Sequence, residues 1–389
     1  MSDRSLNILI VTSWFPNKHS PTEGSFVWEQ AALLSSKGHN VTVLHTYLLG
    51  NFKSSFGKKC RINLSNDIGI KILTVGVPAI FPGLRFLSYY HCFQTCIKGF
   101  KRFSINITDF DLVHSHAAFM GGYVAMKLSF KYNIPQFHTE HASGLIFNPT
   151  QYTLNDQKIL RNIYDHSKMV LFVSDFARNE ICKNFKISKT KNIDILPNLV
   201  ANIFFNGNIL KPSFPFKYLI IGNFIPVKNH NMLLQAWAEF QNRFPEAQLS
   251  LVGEGPLLKD IKCLVSELNL KNIIFFPRQG RNGVLIQIRN HHIIISSSQV
   301  ETFGLTIAEA QAMGKPVVVT DSGGVRDIVE PETGIVTEKS VESLLTGLIT
   351  IQNNFFEFNP NEIREKTFKK FSEEIIYTRL IKLYKTVLN

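Results

Sequence analysis

The stretch Gln299–Gly324, QVETFGLTIAEAQAMGKPVVVTDSGG, decides the fold of this chain. The apolar run that leads into it, HHIIISSS at 291–298, predicts a short buried strand, and Leu305–Met313 predicts a helix. A loop therefore connects a strand to a helix. Backbone amides at a helix N-terminus bind anions, and a glycine lets a ligand approach the backbone closely. Gly304 and Leu305 are therefore predicted to contact a phosphate, and Phe303, directly before them, is predicted to bind the substrate as well.

Two carboxylates flank this predicted helix start. Glu301 lies in the loop, followed by Phe303, and Glu309 lies roughly 7 Å into the helix at about 1.5 Å per residue. Glu309 is predicted to accept hydrogen bonds from ribose hydroxyls while a diphosphate contacts the amides, and Glu301 to face the group that the diphosphate carries. That arrangement suits a nucleotide-sugar. The alternative is a pair of surface charges, because carboxylates suit a helix N-terminus in any case.

The segment ETFGLTIAEAQAMGKPVVVTDSGG closely resembles the donor-site motif of glycosyltransferase family four, and further resemblances spread across almost the whole chain. The two glutamates of that motif have the spacing of Glu301 and Glu309. Members of the family are retaining enzymes of the GT-B fold. The resemblance implies a glycosyltransferase of the bacterial surface-polysaccharide type.

Short apolar runs alternate with helix-length segments along the chain, at 7–12, 41–46, 70–75, 111–114, 169–173 and 193–196. The alternation starts again after about residue 215, with the runs YLIIG, QLSLVG, NIIFF, HHIIIS and KPVVVT. Near-continuous apolar strands that alternate with helices predict parallel sheets covered by helices on both faces. Two such series predict an α/β protein of two Rossmann-like, doubly wound domains, as in GT-B. Ligands of such sheets lie beyond the carboxyl ends of the strands, so a site is expected in the cleft that two facing domains form.

The domain boundary is predicted near Asn198–Phe214, where prolines interrupt the pattern. We expect an acceptor-binding domain at 1–200 and a nucleotide-sugar-binding domain at 201–365. The resemblance implies that the helix expected at 366–389 crosses back to the first domain.

Lys228 and two neighbours are predicted to bind the donor in the second domain. YLIIGNFIPVKNHNMLLQAW reads as a strand, a turn and a helix, and the Lys228 ammonium suits a phosphate, although a lone lysine in a loop is usually just solvated. The family typically has an arginine as well, where this chain has Asn223, so Asn223 is given a supporting hydrogen bond. Arg278, in FFPRQGRNGV, is expected to contact base or phosphate.

Two segments of the first domain also resemble the family. The loop SWFPNKHSPTEGSF precedes a predicted helix from Phe26 to Lys37, and the family's loop approaches the donor phosphates and the acceptor, which implies that role for Gly24. The segment FHTEHASG resembles the one whose histidine lies beside the transferred sugar, here His141. That role needs a neutral hydrogen-bond donor rather than a strong base.

Histidines near two strand ends invite a zinc interpretation. His114 and His116 belong to one segment, and His138 and His141, with Glu140 between them, belong to the next. Their spacing matches no established zinc motif, so no metal is predicted. Histidines at strand ends are more often structural, and His114 or His138 fits that description.

The formal charge of +12 calls for a partner or an explanation. Residues 51–103 hold nine basic residues against one acid, Asp67, with aromatics among them. Such a surface suits anionic lipid headgroups. A helix with solvated cations remains as good an explanation, and nucleic acid is not predicted because no nucleic-acid module is visible. The basic residues are Lys53, Lys58, Lys59, Arg61, Lys71, Arg85, Lys98, Lys101 and Arg102.

The cellular compartment of the protein can be predicted from the lengths of its apolar runs and the spacing of its cysteines. The apolar run around Leu9–Val11 is too short for a signal peptide or a membrane span, and no other stretch reaches spanning length. Five cysteines show neither CxxC pairs nor a secreted spacing. We expect a cytoplasmic protein, with attachment to the inner face of the plasma membrane as the alternative.

The predicted activity is retaining transfer of a hexose-type sugar from a UDP- or GDP-linked donor. The acceptor is a hydroxyl of a glycan or of a polyprenyl-diphosphate-linked glycan. Glu301, His141 and Lys228 are the predicted catalytic residues, and no metal or other cofactor is expected, because no DxD metal motif is present. The alternatives are a sugar-nucleotide epimerase of the same fold, a glycoside hydrolase, and a non-catalytic carbohydrate-binding protein.

Overall fold

The computed structural model describes residues 4–17, 22–51, 54, 57–80, 85–188, 192–207 and 214–388. They form two compact units. Unit 1 comprises the described residues of Met1–Val173, Arg178–Leu196 and Tyr377–Asn389, and unit 2 those of Ser174–Ala177 and Pro197–Ile376. The helices in chain order are α1 (Ser25–Ser36), α2 (Arg85–Arg102), α3 (Tyr123–Tyr132), α4 (Gly144–Phe147), α5 (Leu154–His166), α6 (Asp175–Asn184), α7 (Asn202–Phe205), α8 (His230–Arg243), α9 (Leu258–Glu267), α10 (Arg281–Asn290), α11 (Leu305–Ala312), α12 (Val341–Asn353), α13 (Pro360–Phe371) and α14 (Glu373–Leu388).

Unit 1 is built on one sheet that has eight strands within its described residues. They are β1 (Asn7–Thr12), β2 (Asn40–Leu48), β3 (Arg61–Asp67), β4 (Ile70–Val77), β5 (Leu112–His116), β6 (Gln136–Glu140), β7 (Met169–Phe172) and β8 (Ile193–Ile195). Their spatial order is β3-β4-β2-β1-β5-β6-β7-β8. The order reverses between β1 and β5, so the carboxyl ends of these two strands define the point where sheets of this type bind ligands.

The edge strand β3 departs from the predicted parallel pattern. It pairs antiparallel with β4, because only Ile68 and Gly69 separate the two strands, both with positive φ (40° and 83°). Two-residue turns with that backbone form hairpins. β3 lay outside the predicted apolar runs because its sequence, RINLSND, is largely polar and exposed, as an edge strand tolerates.

Unit 2 is built on a parallel sheet with six strands within its described residues. They are β9 (Lys217–Ile221), β10 (Gln248–Val252), β11 (Ile273–Phe276), β12 (Ile293–Ser296), β13 (Val317–Thr320) and β14 (Gly334–Thr337). The spatial order is β11-β10-β9-β12-β13-β14, so the reversal falls between β9 and β12. Fully buried Tyr218, Trp237 and Phe240 pack the sheet against α8. β14 was outside the predicted runs, and the other five strands lie where the apolar runs predicted them.

The boundaries between the units differ from the predicted ones by several residues. The change from unit 1 to unit 2 comes after Leu196, and the return comes after Ile376. The predicted break at residue 365 falls inside α13, which belongs to unit 2. Pro212, part of the predicted linker, lies outside the described residues.

The final helix, α14, supplies buried groups to unit 1 from Tyr377 onward. The Tyr384 hydroxyl lies 2.6 Å from His114 Nδ1, and the Tyr377 hydroxyl lies 3.0 Å from His39 Nε2. The Arg379 guanidinium donates to the Ile195 carbonyl at the end of β8 (2.6 Å). The end of the chain therefore takes part in the core beneath β1 and β5.

The basic segment 51–103 contributes β3, β4 and α2. α2 buries one face through Tyr89, Cys92 and Phe93, while Phe86 and Tyr90 are exposed. Lys53 lies outside the described residues. Among the helices that the structure describes, none is long and apolar enough to cross a bilayer.

Tyr384→Phe tests the contribution of α14 to unit 1. Removal of the hydroxyl takes a hydrogen-bond partner from the buried His114, so we expect a loss of about 1 to 3 kcal/mol in the free energy of unfolding, measured in urea. Tyr90→Phe is the matched control, because Tyr90 is 50% exposed, and should change stability by less than about 0.5 kcal/mol. Equal effects of the two substitutions would contradict this assignment.

Candidate active site

The reversal of strand order in unit 2 contains a polar pocket. It lies at the carboxyl ends of β9 and β12 and beside the first turn of α11. The residues that line it are Ile220, Ile221, Gly222, Lys228, His230, Ile294, Ile295, Ser296, Ser298, Glu301 and Thr306. Two predicted site residues, Lys228 and Glu301, therefore share one pocket.

Lys228 and Glu301 form an ion pair. The Glu301 Oε1 atom accepts a hydrogen bond from the Lys228 ammonium and another from the Ser298 hydroxyl (2.7 Å). Two further bonds hold the two loops together: Ser297 Oγ donates to the Lys228 carbonyl (2.9 Å), and the Gln299 amide donates to the Val227 carbonyl (2.7 Å). The Lys228 side chain remains 24% exposed, and it lines the pocket.

The loop that carries Glu301 is also fixed to the next loop of the sheet. The Glu301 amide donates to the Ser322 carbonyl (2.9 Å), and the Gly324 amide donates to the Glu301 carbonyl (3.0 Å). This isolated parallel bridge positions the backbone of Glu301 from both sides. The turn at Gly323–Gly324 makes that contact.

Gly304 begins α11, as predicted. It has φ 103°, a backbone conformation that favours glycine, and its carbonyl accepts the first helical hydrogen bonds, from Ile307 (2.9 Å) and Ala308 (3.2 Å). The amides of Leu305 and Thr306 precede those bonds and therefore belong to the helix start that can bind an anion. Thr306 lines the pocket beside Lys228.

Glu309 is buried inside α11 and pairs with a residue that the sequence did not indicate. Its carboxylate is 1% exposed and accepts a hydrogen bond from Arg281 Nη1 (2.5 Å) at the start of α10. The Arg281 guanidinium also lies 4.8 Å from the ring centroid of Phe204. Burial raises the pKa of the Glu309 carboxyl, and the guanidinium offsets part of that rise. Glu309 is thus one half of a buried ion pair.

Asn223 and Arg278 are in contact. The Arg278 Nη2 atom donates to Asn223 Oδ1 at 3.1 Å. Arg278 therefore brings a guanidinium next to Asn223, the position at which the resembling family commonly has an arginine. The two residues were predicted separately, and the structure joins them by this hydrogen bond just beyond the carboxyl end of β9.

Phe303 has a structural side chain. Its ring is 2% exposed and packs edge-to-face against Phe371 of α13, with ring centroids 5.2 Å apart. Because the ring belongs to the core of unit 2, only the backbone of Phe303 could contact a substrate.

In unit 1, Glu140 organises the histidine segment at the end of β6. Its fully buried carboxylate accepts hydrogen bonds from the amides of His141 and Ala142 (both 3.0 Å) and from the Tyr164 hydroxyl (3.0 Å). His138 Nε2 lies 3.3 Å from the same carboxylate. Burial acts to raise the pKa of Glu140, but these hydrogen bonds, led by that of His138, outweigh it and lower the pKa. The ionised carboxylate thereby fixes the backbone of His141.

His141 is held between two rings. Its Nε2 atom lies 3.0 Å from His116 Nδ1, and its ring lies 4.2 Å from that of Phe26, measured between centroids. Burial, reinforced by the neighbouring histidines, lowers the pKa of His141 well below its usual value, and burial lowers the pKa of His116 to about 3. Both imidazoles are therefore neutral at neutral pH, the state that the predicted role of His141 requires.

Gly24 has a structural reason to be glycine. It caps α1 with φ 64°, and a Cβ atom there would lie 2.1 Å from the Trp14 carbonyl oxygen. α1 runs over Ser25–Ser36, close to the predicted bounds, and its second residue, Phe26, contacts His141. Gly24 therefore begins the helix whose Phe26 side chain packs against His141 in unit 1.

His114 and His138 have structural partners, as the sequence suggested for one of them. His114 Nε2 lies 2.7 Å from the Thr139 hydroxyl, and His138 Nδ1 lies 2.9 Å from the Ser115 hydroxyl. Within the described ranges, no group of three or more His, Cys, Asp or Glu side chains has an arrangement that could hold a metal ion.

Two family models match most of the chain between them. The model of glycosyltransferase family 4 matches residues 24–201, and that of glycosyl transferases group 1 matches residues 205–367. An uncharacterized glycosyltransferase of Methanocaldococcus jannaschii is 27% identical over 265 residues. That match covers 68% of this chain and 66% of the relative, just under two thirds of its length.

Solved structures share the whole fold. Sucrose-phosphate synthase from Thermosynechococcus elongatus matches with a TM-score of 0.78 at 19% identity over 99% of both chains. The Anabaena protein HepE, crystallised with UDP and glucose, matches with a TM-score of 0.73 at 16% identity over 98% of this chain and 99% of its own. These likenesses confirm the predicted GT-B fold class of two doubly wound α/β domains.

Arg281→Met tests the buried pair with Glu309. Loss of the guanidinium leaves a buried carboxylate without its cation, so we expect the free energy of unfolding in urea to fall by about 3 to 5 kcal/mol. The double substitution Arg281→Met with Glu309→Gln removes the uncompensated charge and should recover part of that loss. A double variant no more stable than the single one would contradict the pairing.

The neutral histidines of unit 1 predict a loss of stability in mild acid. Unfolded histidine has a pKa near 6.5, whereas the pKa values of His114, His116 and His141 are lowered in the folded state. The unfolded state then binds more protons below about pH 6.5, so stability is complete above that pH and falls as the pH drops toward the folded pKa values.

His116→Gln isolates one of these contributions. Between pH 6 and pH 4.5 we expect the free energy of unfolding to depend on pH less steeply than in the wild type, by about 1 kcal/mol per pH unit. Urea denaturation at a series of pH values measures that slope. An unchanged slope would contradict a neutral buried His116.

Proposed function

Since this chain belongs to glycosyltransferase family 4 and is a glycosyltransferase, we propose that it transfers a hexose-type sugar from a UDP- or GDP-linked donor with retention of configuration. The acceptor in this proposal is a hydroxyl of a glycan or lipid-linked glycan. The observation that carries the proposal is the pocket of unit 2, where the Lys228 ammonium and the first amides of α11 lie at the reversal of strand order.

The donor diphosphate would bind Lys228 and the amides of Leu305 and Thr306. An ammonium and a helix N-terminus both stabilise phosphate oxygens. Glu309, oriented by Arg281, would accept hydrogen bonds from the ribose hydroxyls. The UDP described with the similar Anabaena structure supports a nucleoside diphosphate as the ligand class.

The ion pair between Lys228 and Glu301 gives a means of coupling donor binding to sugar binding. A diphosphate attracts the ammonium away from Glu301, and the released carboxylate then accepts hydrogen bonds from the sugar hydroxyls. Both residues already face one pocket, so only short side-chain movements are needed. Lys228 then stabilises the charge that develops as the sugar leaves the phosphate.

In the retaining reaction, the bond from the anomeric carbon to the phosphate oxygen breaks and a bond to the acceptor oxygen forms on the same face. The acceptor proton passes to the departing phosphate, so no side chain needs to act as the base. Because the attack occurs on the face that the phosphate leaves, no side chain needs to act as a covalent nucleophile either. Catalysis then depends on positioning and on stabilisation of the leaving diphosphate. The neutral imidazole of His141 is suited to donate or accept a hydrogen bond without a net charge.

The proposal includes no metal ion. The ammonium of Lys228 and the amide dipoles at α11 supply the positive potential that a divalent cation supplies in other transferases. In the cell, we propose that the protein takes part in the assembly of a bacterial surface polysaccharide on a polyprenyl carrier. The exposed Phe86 and Tyr90 beside basic residues of α2 support a membrane surface as partner.

A thermal-shift comparison in EDTA tests the proposal. UDP, GDP, ADP and their common sugars are each added to the purified protein, and one diphosphate series should raise the melting temperature by a few degrees. Lys228→Met should lose most of that shift relative to its own unliganded melting temperature. Lys259→Met, which removes an exposed lysine of α9, should keep it.

Two outcomes would overturn the proposal. The first is no shift with any nucleotide or nucleotide-sugar. The second is a shift that appears only after manganese is added, which would contradict the metal-free part.

A further inference from the structure

His230, the first residue of α8, lies at the same pocket and has no role in the reaction described above. Its side chain is buried, with the residue 2% exposed. The His230 ring packs against the Phe224 ring in an edge-to-face arrangement, with a centroid distance of 5.0 Å. Among the described residues, neither Nδ1 nor Nε2 has a hydrogen-bond partner. A buried imidazole in that state requires an explanation.

The position of His230 suggests that explanation, because it lines the pocket together with Lys228, Ser298, Glu301 and Thr306. Burial and the nearby Lys228 ammonium lower the pKa of His230 to about 4. At neutral pH the ring is neutral, with one nitrogen carrying a proton and the other a lone pair. The ring therefore carries one N–H group for which the described residues supply no acceptor.

The other polar groups of this pocket determine which ligand it suits. Lys228 is a donor, Ser298 and Thr306 bring hydroxyls, and the Glu301 carboxylate already accepts from Lys228 and Ser298. The Lys228 ammonium has three N–H groups, and the described residues accept one of them, at Glu301, so this pocket can offer donors to a ligand. A ligand that satisfies it must bring several acceptor oxygens, and phosphate is the group of that kind that a nucleotide-sugar contains.

We propose that the His230 N–H group donates a hydrogen bond to a phosphate oxygen of the bound nucleoside diphosphate, so that His230 is a further donor-binding residue beside Lys228. This inference rests on the proposed function, since it assumes a diphosphate in the pocket of unit 2. The two residues differ in kind. Lys228 attracts the anion through its charge, whereas His230 contributes a directional hydrogen bond without a second positive charge.

That difference gives a property that a merely structural histidine would not have. Salt screens the attraction between exposed charges but affects a buried neutral hydrogen bond little. The loss of diphosphate affinity caused by removing the Lys228 charge should shrink as ionic strength rises. The loss caused by removing the His230 nitrogens should stay constant.

The experiment measures binding by calorimetry in the full chain at two salt concentrations. The probes are UDP, GDP, inorganic pyrophosphate, and the nucleosides uridine and guanosine. His230→Phe keeps a ring against Phe224 but removes both nitrogens, and we expect about tenfold or more weaker binding of pyrophosphate and of the preferred nucleoside diphosphate. Binding of the matching nucleoside should not change.

Two further variants separate hydrogen bonding from packing. His230→Gln retains a side-chain N–H group and should recover part of the affinity. Phe224→Leu alters the ring contact while His230 keeps its nitrogens, so it should bind the diphosphate as the wild type does. The melting temperature of each variant, measured without ligand, shows whether it is folded, and the glutamine variant provides the comparison if the phenylalanine variant is not.

The outcomes distinguish this inference from the proposed function. If the wild type binds a diphosphate and His230→Phe binds it equally well, the inference is overturned and the proposed function stands. If His230→Phe weakens nucleoside and diphosphate to the same extent, His230 supports the pocket in general, and the inference is again overturned. If the wild type binds none of the phosphates, the proposed function itself fails.

Discussion

The ion pair between Lys228 and Glu301 is the interaction on which the site of unit 2 depends. Parallel strands direct their carboxyl ends to one edge, and the reversal of strand order between β9 and β12 leaves a gap there. Lys228 follows β9 and Glu301 follows β12, so their contact closes the gap with two opposite charges. Ser298 shares the same carboxylate oxygen, and backbone bonds from the adjacent loops hold the pair in place. The ion pair, the reversal of strand order and the start of α11 therefore lie at the same pocket of unit 2.

The sequence was sufficient for the fold class, because strands and helices follow from local patterns, and two of the predicted site residues, Lys228 and Glu301, line one pocket in the structure. Apolar runs predicted five of the six strands described in unit 2, and Gly304 before an apolar helical pattern predicted the start of α11. Arg281 was missed because its importance comes from the burial of Glu309, which depends on how α10 and α11 pack. Nothing in RQGRNGV distinguishes Arg281 from Arg278 before that packing is known. The same limit applies to Phe303, whose ring turned out to belong to the core.

The two units use buried carboxylates in different ways. Glu140 receives backbone amides, a phenol and a histidine, so its charge is distributed over several hydrogen bonds and its pKa is lowered. Glu309 faces a guanidinium, and its pKa is still raised by burial. The Glu140 carboxylate holds a backbone segment in place, whereas the Glu309 carboxylate provides a hydrogen-bond acceptor within α11. Glu140 thus fixes the backbone conformation at His141 in unit 1, whereas Glu309, as we propose, binds the ribose of the donor in unit 2.

The contact between Tyr384 and His114 bears on the order in which the protein can be completed during synthesis. His114 belongs to β5, whereas Tyr384 lies 270 residues later in the chain, in α14. Every residue of unit 2 is therefore made before unit 1 receives the hydroxyl beside its central histidine. A nascent chain that stops after unit 2 would have a finished second unit and a first unit without its last core residues. Unit 1 begins before unit 2 along the chain, yet it is completed after unit 2, when Tyr377 and the residues beyond it are added.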